Sequence, residues 1–345
     1  MSGPFMSDAW KGKVRDDIRN GAELNIAFIF MNTLAATIAT YGLFANSPAV
    51  IIGAMIVAML LGPIAGVALS LVDSDMVLLC RSILTLIAGS IAVMITACII
   101  SFFHPDIPIT NEIMARTSPN LIDLMIALAG GAAGAYASVS PRLSVAFVGV
   151  AIATALVPPL CSAVVLFARG EFSLGLGACL LTFTNMVAIQ FACSVVFWFT
   201  GFRKVSHKSE LTLLTFLKRN IVSIAILCIL AVVLTGSLRE SISKQLFETT
   251  VRFTLAQELN AFAGNYLVDV RFETTEAAVS PGKTVLRAVV RGPVEPSADD
   301  VRSIEDKLPS PPDGTDMELR VRFVKTIVIT RDGHVYDDIK FGEKE

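Results

Sequence analysis

Two proline-containing interruptions are the residues of this sequence most able to create a binding site. Gly62-Pro63 and Pro158-Pro159 each lie within a long apolar run. Proline has no backbone N–H and its ring clashes with the preceding helical turn, so a carbonyl one turn earlier loses its partner. In hydrocarbon such a group costs several kcal/mol, and a neighbouring helix, water or a cation must satisfy it. We therefore predict a solute or ion pathway at both breaks, with a plain helix kink as the alternative.

The two breaks belong to one repeated motif. Four residues recur at a shift of 96 positions: Gly53, Ile56, Leu60 and Pro63 align with Gly149, Ile152, Leu156 and Pro159. Paired broken helices in the two halves of a membrane protein indicate a substrate or ion site at the repeat interface.

Amides and hydroxyls within the apolar runs are further candidates. Thr184 and Asn185 lie deep in such a run, and either bind a solute or join helices through hydrogen bonds of about 0.6–2 kcal/mol. Both interpretations stay open for this pair, whereas for Asn32 and the other threonines we favour helix joining. The predicted pathway residues are Gly62, Pro63, Pro158, Pro159, Thr184 and Asn185. Secondary candidates are Asn32, Thr37, Gly53, Gly130, Gly131, Gly149, Thr182 and Gln190.

Other chemistries find little support. The histidines are far apart and lack acidic or cysteine neighbours at metal-ligand spacing, and no Walker motif is present. We expect no catalytic residues, no metal and no cofactor. The six cysteines lie in apolar runs without a CxxC pair, so we expect them to be small buried residues. Asp123, at the entry of an apolar run, is interpreted as a helix cap.

Composition points to a lipid environment. Of 345 residues, 54% are hydrophobic and 17% charged, against about 45–50% and 25% in soluble domains. The net charge of −2 argues against nucleic acid as a partner. Runs long enough to cross a bilayer predict seven spans, at Leu24–Phe44, Ala49–Leu71, Met76–Phe103, Leu121–Val139, Leu143–Phe167, Leu174–Thr200 and Ile221–Leu238.

Spans one to three resemble spans four to six, and an odd number of spans per copy predicts an inverted 3+3 repeat. The resulting domains are a polar segment 1–23, a six-span domain 24–200, a basic loop with the seventh span 201–238, and a soluble domain 239–345. Lys and Arg cluster before span one and between spans six and seven, so we expect a multi-pass inner-membrane protein with a cytoplasmic N-terminus. The C-terminal domain then lies on the opposite side.

The C-terminal domain changes character, with more charge and six prolines between Pro281 and Pro312. A helical pattern over Arg239–Phe262 precedes alternating segments at Tyr266–Glu273 and Thr284–Val290. A helix capped by Ser297 and a further strand-like segment follow. The order α-β-β-α-β predicts a small α+β domain, with a ferredoxin-like fold as the specific expectation.

Several of these motifs together resemble domain-of-unknown-function family 389, a set of prokaryotic hydrophobic membrane proteins. The motifs are Thr37–Leu43, Asn46-Ser47-Pro48, Ile52–Met55, Gly62-Pro63-Ile64, Ala155–Leu160 and Leu180–Asn185. The resemblance covers roughly residues 24–200 and implies the architecture, since the family has no established activity. One departure is Met59, where the family pattern leads us to expect a proline, so the first break is expected to be milder.

Two hypotheses for function follow. The first is a transporter or channel-like permease for an unidentified small solute or ion, with its pathway at the broken second and fifth spans. The second is a membrane sensor or assembly scaffold whose C-terminal domain binds a ligand or partner. The lipid bilayer is the expected partner in both cases, and a homo-oligomer is left open.

Overall fold

The computed structural model describes residues 8–140, 156–202, 213–260, 265–274, 283–312, 314, 316–326, 328–330 and 333–335. The chain divides into two compact units, Met1–Leu238 and Arg239–Glu345. Gly149 and the beginning of the predicted fifth span lie outside the described residues.

The first unit is helical. Its helices are α1 (Asp8–Gly21), α2 (Ile26–Phe44), α3 (Pro48–Val57), α4 (Leu61–Asp73), α5 (Met76–Phe103), α6 (Asn111–Met114), α7 (Leu121–Val139), α8 (Val157–Ala168), α9 (Phe172–Phe199) and α10 (Leu213–Arg219). A final helix, α11 (Ile221–Asn260), begins in the first unit and continues into the second.

Four of the described helices are long and apolar enough to cross a membrane: α2, α5, α7 and α9. The pair α3 and α4 counts as a fifth candidate, bent by 54° at its break. Helix α8 and residues 221–236 of α11 are apolar but shorter. The predicted bounds of α5 and α7 agree with the structure, and Asp123 forms the predicted cap in a capping box with Asn120.

Contacts at the helix ends define two opposite ends of the first unit. At one end, the Trp10 indole N–H of α1 donates to the carbonyl of Val139, at the last residue of α7, over 2.9 Å. At the other, the Thr110 hydroxyl donates to the Leu43 carbonyl near the end of α2 over 2.7 Å. Helices α2 and α5 therefore run from the α1 end to the far end, whereas α7 and α9 run the opposite way.

The N-terminal segment is more than a polar leader to the first span. Within α1, Val14 and Ile18 are buried in the core of the unit. Arg15 donates through Nε to Asp73 over 2.8 Å and through Nη2 to the Phe202 carbonyl over 2.6 Å. Helix α1 thus joins the C-terminal ends of α4 and α9, and its cation also meets the partial negative charge of the α4 terminus.

The prediction that all cysteines are buried is wrong for half of them. Cys161 and Cys193 are buried, whereas Cys80, Cys98 and Cys228 are exposed. The exposed cysteines share helix surfaces with exposed apolar residues such as Val77 and Ile95. These surfaces suit lipid, which is as apolar as the side chains themselves, so an apolar run does not imply burial within the protein.

The second unit contains a three-stranded sheet of β1 (Tyr266–Thr274), β2 (Lys283–Gly292) and β3 (Asp316–Lys325) in that order. Strand β2 pairs antiparallel with β1 and parallel with β3. Helix α12 (Ala298–Glu305) connects the parallel strands, and β4 (Val328–Thr330) and β5 (Gly333–Val335) form a separate two-stranded ribbon.

This topology differs from the expected ferredoxin-like fold. In that fold a third strand separates the parallel strands of a split βαβ unit, whereas β2 and β3 are direct neighbours here. One face of the sheet packs on Leu255 and Leu259 of α11 and on Ile304 of α12. Ser297 caps α12, and hydrogen bonds from its hydroxyl and backbone N–H lower the pKa of the Asp300 carboxyl.

The seventh predicted span, Ile221–Leu238, falls in the first part of α11, where the apolar stretch covers residues 221–236. The helical pattern predicted from Arg239 does not form a separate helix, because α11 continues without interruption to Asn260. No proline occurs between these residues, so nothing in the backbone forces a stop where the composition changes from apolar to charged.

The Arg15–Asp73 pair predicts a test of the role of α1. Replacing Arg15 with Gln leaves the Asp73 carboxylate, which is 1% exposed, without its cation. Breaking a buried pair in this way costs about 3 kcal/mol, so we expect a clear drop in thermal unfolding temperature of the purified protein. Arg19→Gln is the matched control, since its pair with Asp75 is more exposed and should contribute below about 1 kcal/mol. Equal unfolding temperatures for both variants would contradict this role.

Candidate functional site

The first break lies earlier than the sequence indicates. Helix α3 ends at Val57 and α4 begins at Leu61, so Ala58–Leu60 form the interruption. Pro63 is the third residue of α4, where an N–H has no intrahelical acceptor in any case. Proline is therefore tolerated there, and the interruption falls before it. The bend of 54° also shows that Met59 does not leave this break mild.

Asn32 of α2 satisfies the interrupted backbone. Its Oδ1 accepts the Met59 N–H over 3.1 Å, and its Nδ2 donates to the Phe28 carbonyl of its own helix over 2.8 Å. The side chain is fully buried. An amide supplies an acceptor and a donor at once, so this one side chain bonds both its own helix and the backbone of the interruption. Sequence reasoning treated Asn32 as a helix-joining residue, and the structure places it at the break.

The second proline pair begins a helix in the same way as the first. Pro158 and Pro159 are the second and third residues of α8, and Leu156 precedes the helix as Leu60 precedes α4. Neither leucine provides a side-chain cap. All residues of Val157–Leu166 are buried, and α8 packs against α2, α5 and α9. Helix α8 is therefore an internal helix, surrounded by protein along most of its length.

Helix α8 approaches α2 one turn from the residue that holds the first break. The Cys161 Sγ lies 4.0 Å from the Ala36 carbonyl, and Ala36 is one turn beyond Asn32 on α2. The beginnings of both proline-started helices therefore lie beside the same stretch of α2.

Gly62 has a close-packing role. A Cβ built on Gly62 would overlap the Gly21 carbonyl at the end of α1. A Cβ on Gly66, one turn on, would overlap the Ser82 hydroxyl of α5 and lie 2.7 Å from the Ala22 Cβ. The absence of side chains thus allows α4 to lie directly against α1 and α5.

Thr184 and Asn185 lie on α9 and are buried. No hydrogen-bond partner of the Thr184 hydroxyl occurs in the part of the chain that the structure describes. Further along α9, Gln190 accepts from the Ser223 hydroxyl of α11 over 2.7 Å and donates to Ser194 over 2.9 Å. Gln190 therefore joins two helices. Thr184 differs from it, because its hydroxyl makes no hydrogen bond among the described residues.

The remaining candidates are not brought to the breaks. Thr37 and Thr182 each donate to the carbonyl one turn earlier in their own helix. Gly131 packs against the backbone of Ile189, and Gly53 faces open space. Gly130 is half-buried on α7. Within the described ranges, no three His, Cys, Asp or Glu side chains cluster as a metal site would require.

Sequence reasoning missed the participation of α1. The Gly21–Gly62 approach and the Arg15–Asp73 pair join segments about 40 to 60 positions apart, which no local pattern reveals. One feature of the sequence could have predicted that α1 packs against the other helices: Val14 and Ile18 are four residues apart, on one face of a charged helix.

Several helices that are long and apolar enough to cross a bilayer indicate a membrane protein. Residues 55–191 match the family described as "Domain of unknown function (DUF389)", which confirms the predicted resemblance over that range. An uncharacterized protein of Methanocaldococcus jannaschii is 34% identical over 184 residues, covering 53% of this chain and 56% of that protein. The chain thus spans about half the length of this relative.

Two glycines of one repeat copy predict opposite effects on stability. Gly62→Ala forces its Cβ onto the Gly21 carbonyl, and we expect a loss of about 1–3 kcal/mol from overpacking. Gly53→Ala meets nothing within 4 Å in the interior of α3, and should stabilise the protein by up to about 1 kcal/mol through helix propensity. Thermal unfolding of both variants in detergent checks the pair. A neutral Gly62→Ala would show that α1 does not lie against α4.

Proposed function

We propose that this protein is a transporter or channel-like permease for a small solute or ion, with its pathway beside the two proline-started helices. The observation that carries the proposal is the interruption at Ala58–Leu60, held by the buried Asn32 next to the internal helix α8. Interrupted backbone at membrane depth is tolerated where it lies within protein or lines a water-filled cavity, and transporters build substrate sites from it.

Helix directions support an inverted repeat. Helices α2 and α5 run one way and α7 and α9 the other, while α4 runs towards the α1 end and α8 towards the opposite end. Helix α4 packs against α9 of the other half, and α8 packs against α5. Each half-helix, α4 and α8, thus packs against a helix of the other half. The two half-helices start inside the first unit and run towards its opposite ends.

We include Thr184 and Asn185 in the proposed pathway because their position along α9 places them near the depth of the first break. Ser194 of α9 lies 3.5 Å from the Ala68 carbonyl of α4, and Arg15 joins the ends of the two helices. The helices therefore run in parallel. Seven residues, about 10 Å at 1.5 Å per residue, lead back from Ala68 to Leu61 at the start of α4, and the same number lead from Ser194 to Val187. Thr184 and Asn185 lie within one helical turn of Val187, so the deep polar pair lies near the depth of the break.

We further propose seven spans, with α8 completing the fifth and residues 221–236 forming the seventh. Arg15, Arg19, Arg81 and Arg219 all lie at the α1 end. An excess of Lys and Arg is typical of the cytoplasmic side, so this end would face the cytoplasm. The second unit would then lie on the opposite side of the membrane. We propose no enzymatic activity for it.

Thr184→Val is the sharpest test because stability and function should move in opposite directions. Its fully buried hydroxyl has no partner within the described residues, and an isosteric methyl group removes that desolvation cost. We expect an unfolding temperature equal to or above that of the unmodified protein, together with at least a ten-fold lower flux. The control is Thr96→Val, whose hydroxyl donates to Ala92 of its own helix. Loss of stability without loss of flux would assign Thr184 to structure.

Flux is measured first as capacitive current from proteoliposomes on a solid-supported membrane, screened over cations, anions and small metabolites. Asn185→Leu accompanies the unmodified protein, and we expect its solute-dependent current to be lost while the protein assembles normally. An unchanged solute-dependent current in both Asn185→Leu and Thr184→Val would contradict the proposed position of the pathway. No current or isotope uptake across the panel would favour the sensor or scaffold hypothesis.

A further inference from the structure

The last turn of helix α3 leaves three backbone carbonyls without hydrogen-bond donors at the first break. The carbonyls of Met55, Ile56 and Val57 accept no hydrogen bond from any residue that the structure describes. The Ala58 N–H is the last donor to this helix, and it bonds the Ala54 carbonyl over 3.2 Å. Carbonyls of a last helical turn point beyond the end of their helix, so these three oxygens face the interruption.

The donors that would continue the helix are taken or missing. The Met59 N–H would meet the Met55 carbonyl in an unbroken helix, but Asn32 accepts it instead over 3.1 Å. The Gly62 N–H bonds the Met59 carbonyl over 3.2 Å, and Pro63 has no N–H. The fully buried amide of Asn32 thus satisfies a donor and leaves the acceptors of α3 open.

This balance of donors and acceptors favours a positively charged ligand. The negative end of a helix dipole lies on its free carbonyls, and the positive end lies on the free N–H groups of its first turn. The end of α3 keeps three such carbonyls, whereas at the start of α4 only the Leu60 and Leu61 N–H groups are free among the described residues. Pro158 and Pro159 remove donors from the start of α8 in the same way.

The residues around the break restrict the cation to a monovalent one. No charged residue occurs between Glu23 and Asp73, and none occurs within α8 or α9. Calcium and magnesium sites in proteins use carboxylates, and a proton needs a titratable side chain to carry it. Backbone carbonyls at broken helices and in selectivity filters instead coordinate Na⁺ and K⁺.

Thr184 offers a further oxygen near the same depth. Its side chain is fully buried, and its hydroxyl makes no hydrogen bond among the described residues. Helix α9, which carries it, packs against both α4 and α8. Helices α8 and α9 form an antiparallel hairpin, in which Val157 precedes Gly170 by 13 residues and Thr184 follows it by 14. Thr184 therefore lies near the level at which α8 starts.

We propose that the first break binds a monovalent alkali cation, Na⁺ or K⁺, through the carbonyls of Met55, Ile56 and Val57, with the Thr184 hydroxyl near the same depth. We call these three carbonyls the carbonyl site. The inference rests on the proposed transport function and names its cargo, so the ion is bound transiently and is not a resident cofactor. Ile56 is exposed, and Val57 and Ala58 are half-buried, so packed side chains do not enclose the end of α3. Irregular backbone of this kind is tolerated at membrane depth beside a water-filled cavity, from which an ion can enter.

The first test measures binding without flux. The unfolding temperature of the purified full-length protein in detergent is followed as NaCl or KCl replaces N-methylglucamine chloride at constant ionic strength. We expect a saturable rise with one or both alkali cations, and the same rise when gluconate replaces chloride. The ion that produces the rise at the lower concentration is the preferred cation.

Side-chain changes then locate the site. Thr184→Val should weaken cation binding at least ten-fold, and without alkali cations it should unfold at or above the temperature of the unmodified protein. Thr96→Val on α5 is the control and should bind as the unmodified protein does, because its hydroxyl bonds its own helix. Ala58→Lys places an ammonium group beside the carbonyls and should abolish the cation-dependent rise, whereas the uncharged Ala58→Met, of similar length, should lose far less. Thr184→Val decides the matter where Ala58→Lys fails to assemble.

Three results would overturn the carbonyl site: no difference between alkali cations and N-methylglucamine, a rise that follows the anion, or equal weakening in Thr184→Val and Thr96→Val. Uptake of radioactive sodium or rubidium into proteoliposomes tests the transport function separately. Cation binding without uptake would support the carbonyl site and contradict transport. Uptake of another solute by a protein that binds no alkali cation would support transport and overturn the carbonyl site.

Discussion

Every backbone donor and acceptor at membrane depth must find a partner within the protein, because lipid supplies none. Continuous helices meet this demand along α2, α5, α7 and α9. The interruption at Ala58–Leu60 does not, and the buried amide of Asn32 provides the missing acceptor for the Met59 N–H. One side chain of a different helix therefore supports the position of the interruption between α3 and α4. A proline at the third residue of α4 reinforces this start, because no donor is lost there.

Close packing and charge at the helix ends support the same arrangement. Glycines allow α4 to lie directly against α1, and at its C-terminus Arg15 meets Asp73 while Arg219 donates to the Val72 carbonyl. The half-helix is thus held at its start by backbone contact and at its end by cations that the helix dipole favours.

The two units meet different physical demands. In the first, many buried polar side chains bond a backbone group or a neighbouring side chain, as Gln190 does between α9 and α11, and the Thr184 hydroxyl is an exception among the described residues. In the second, an apolar face covers α11 and α12 while the opposite face concentrates arginines in register. Water screens such charges, whereas the same residues would be very costly among the membrane helices.

The sequence by itself determined the local features of this protein. Apolar length placed α5 and α7 to the residue, and the prolines indicated a break close to the beginnings of α4 and α8, although α4 begins before its proline, since both effects act within one or two helical turns. It also indicated both hairpin strands and the helix between β2 and β3. Only the tertiary structure decided that Asn32 meets Met59, that Gly62 allows the close approach to Gly21, and that arginines of three strands are in register. These depend on distant segments and strand register, and apolar residues that suit lipid and protein equally well carry no pattern that specifies their neighbours.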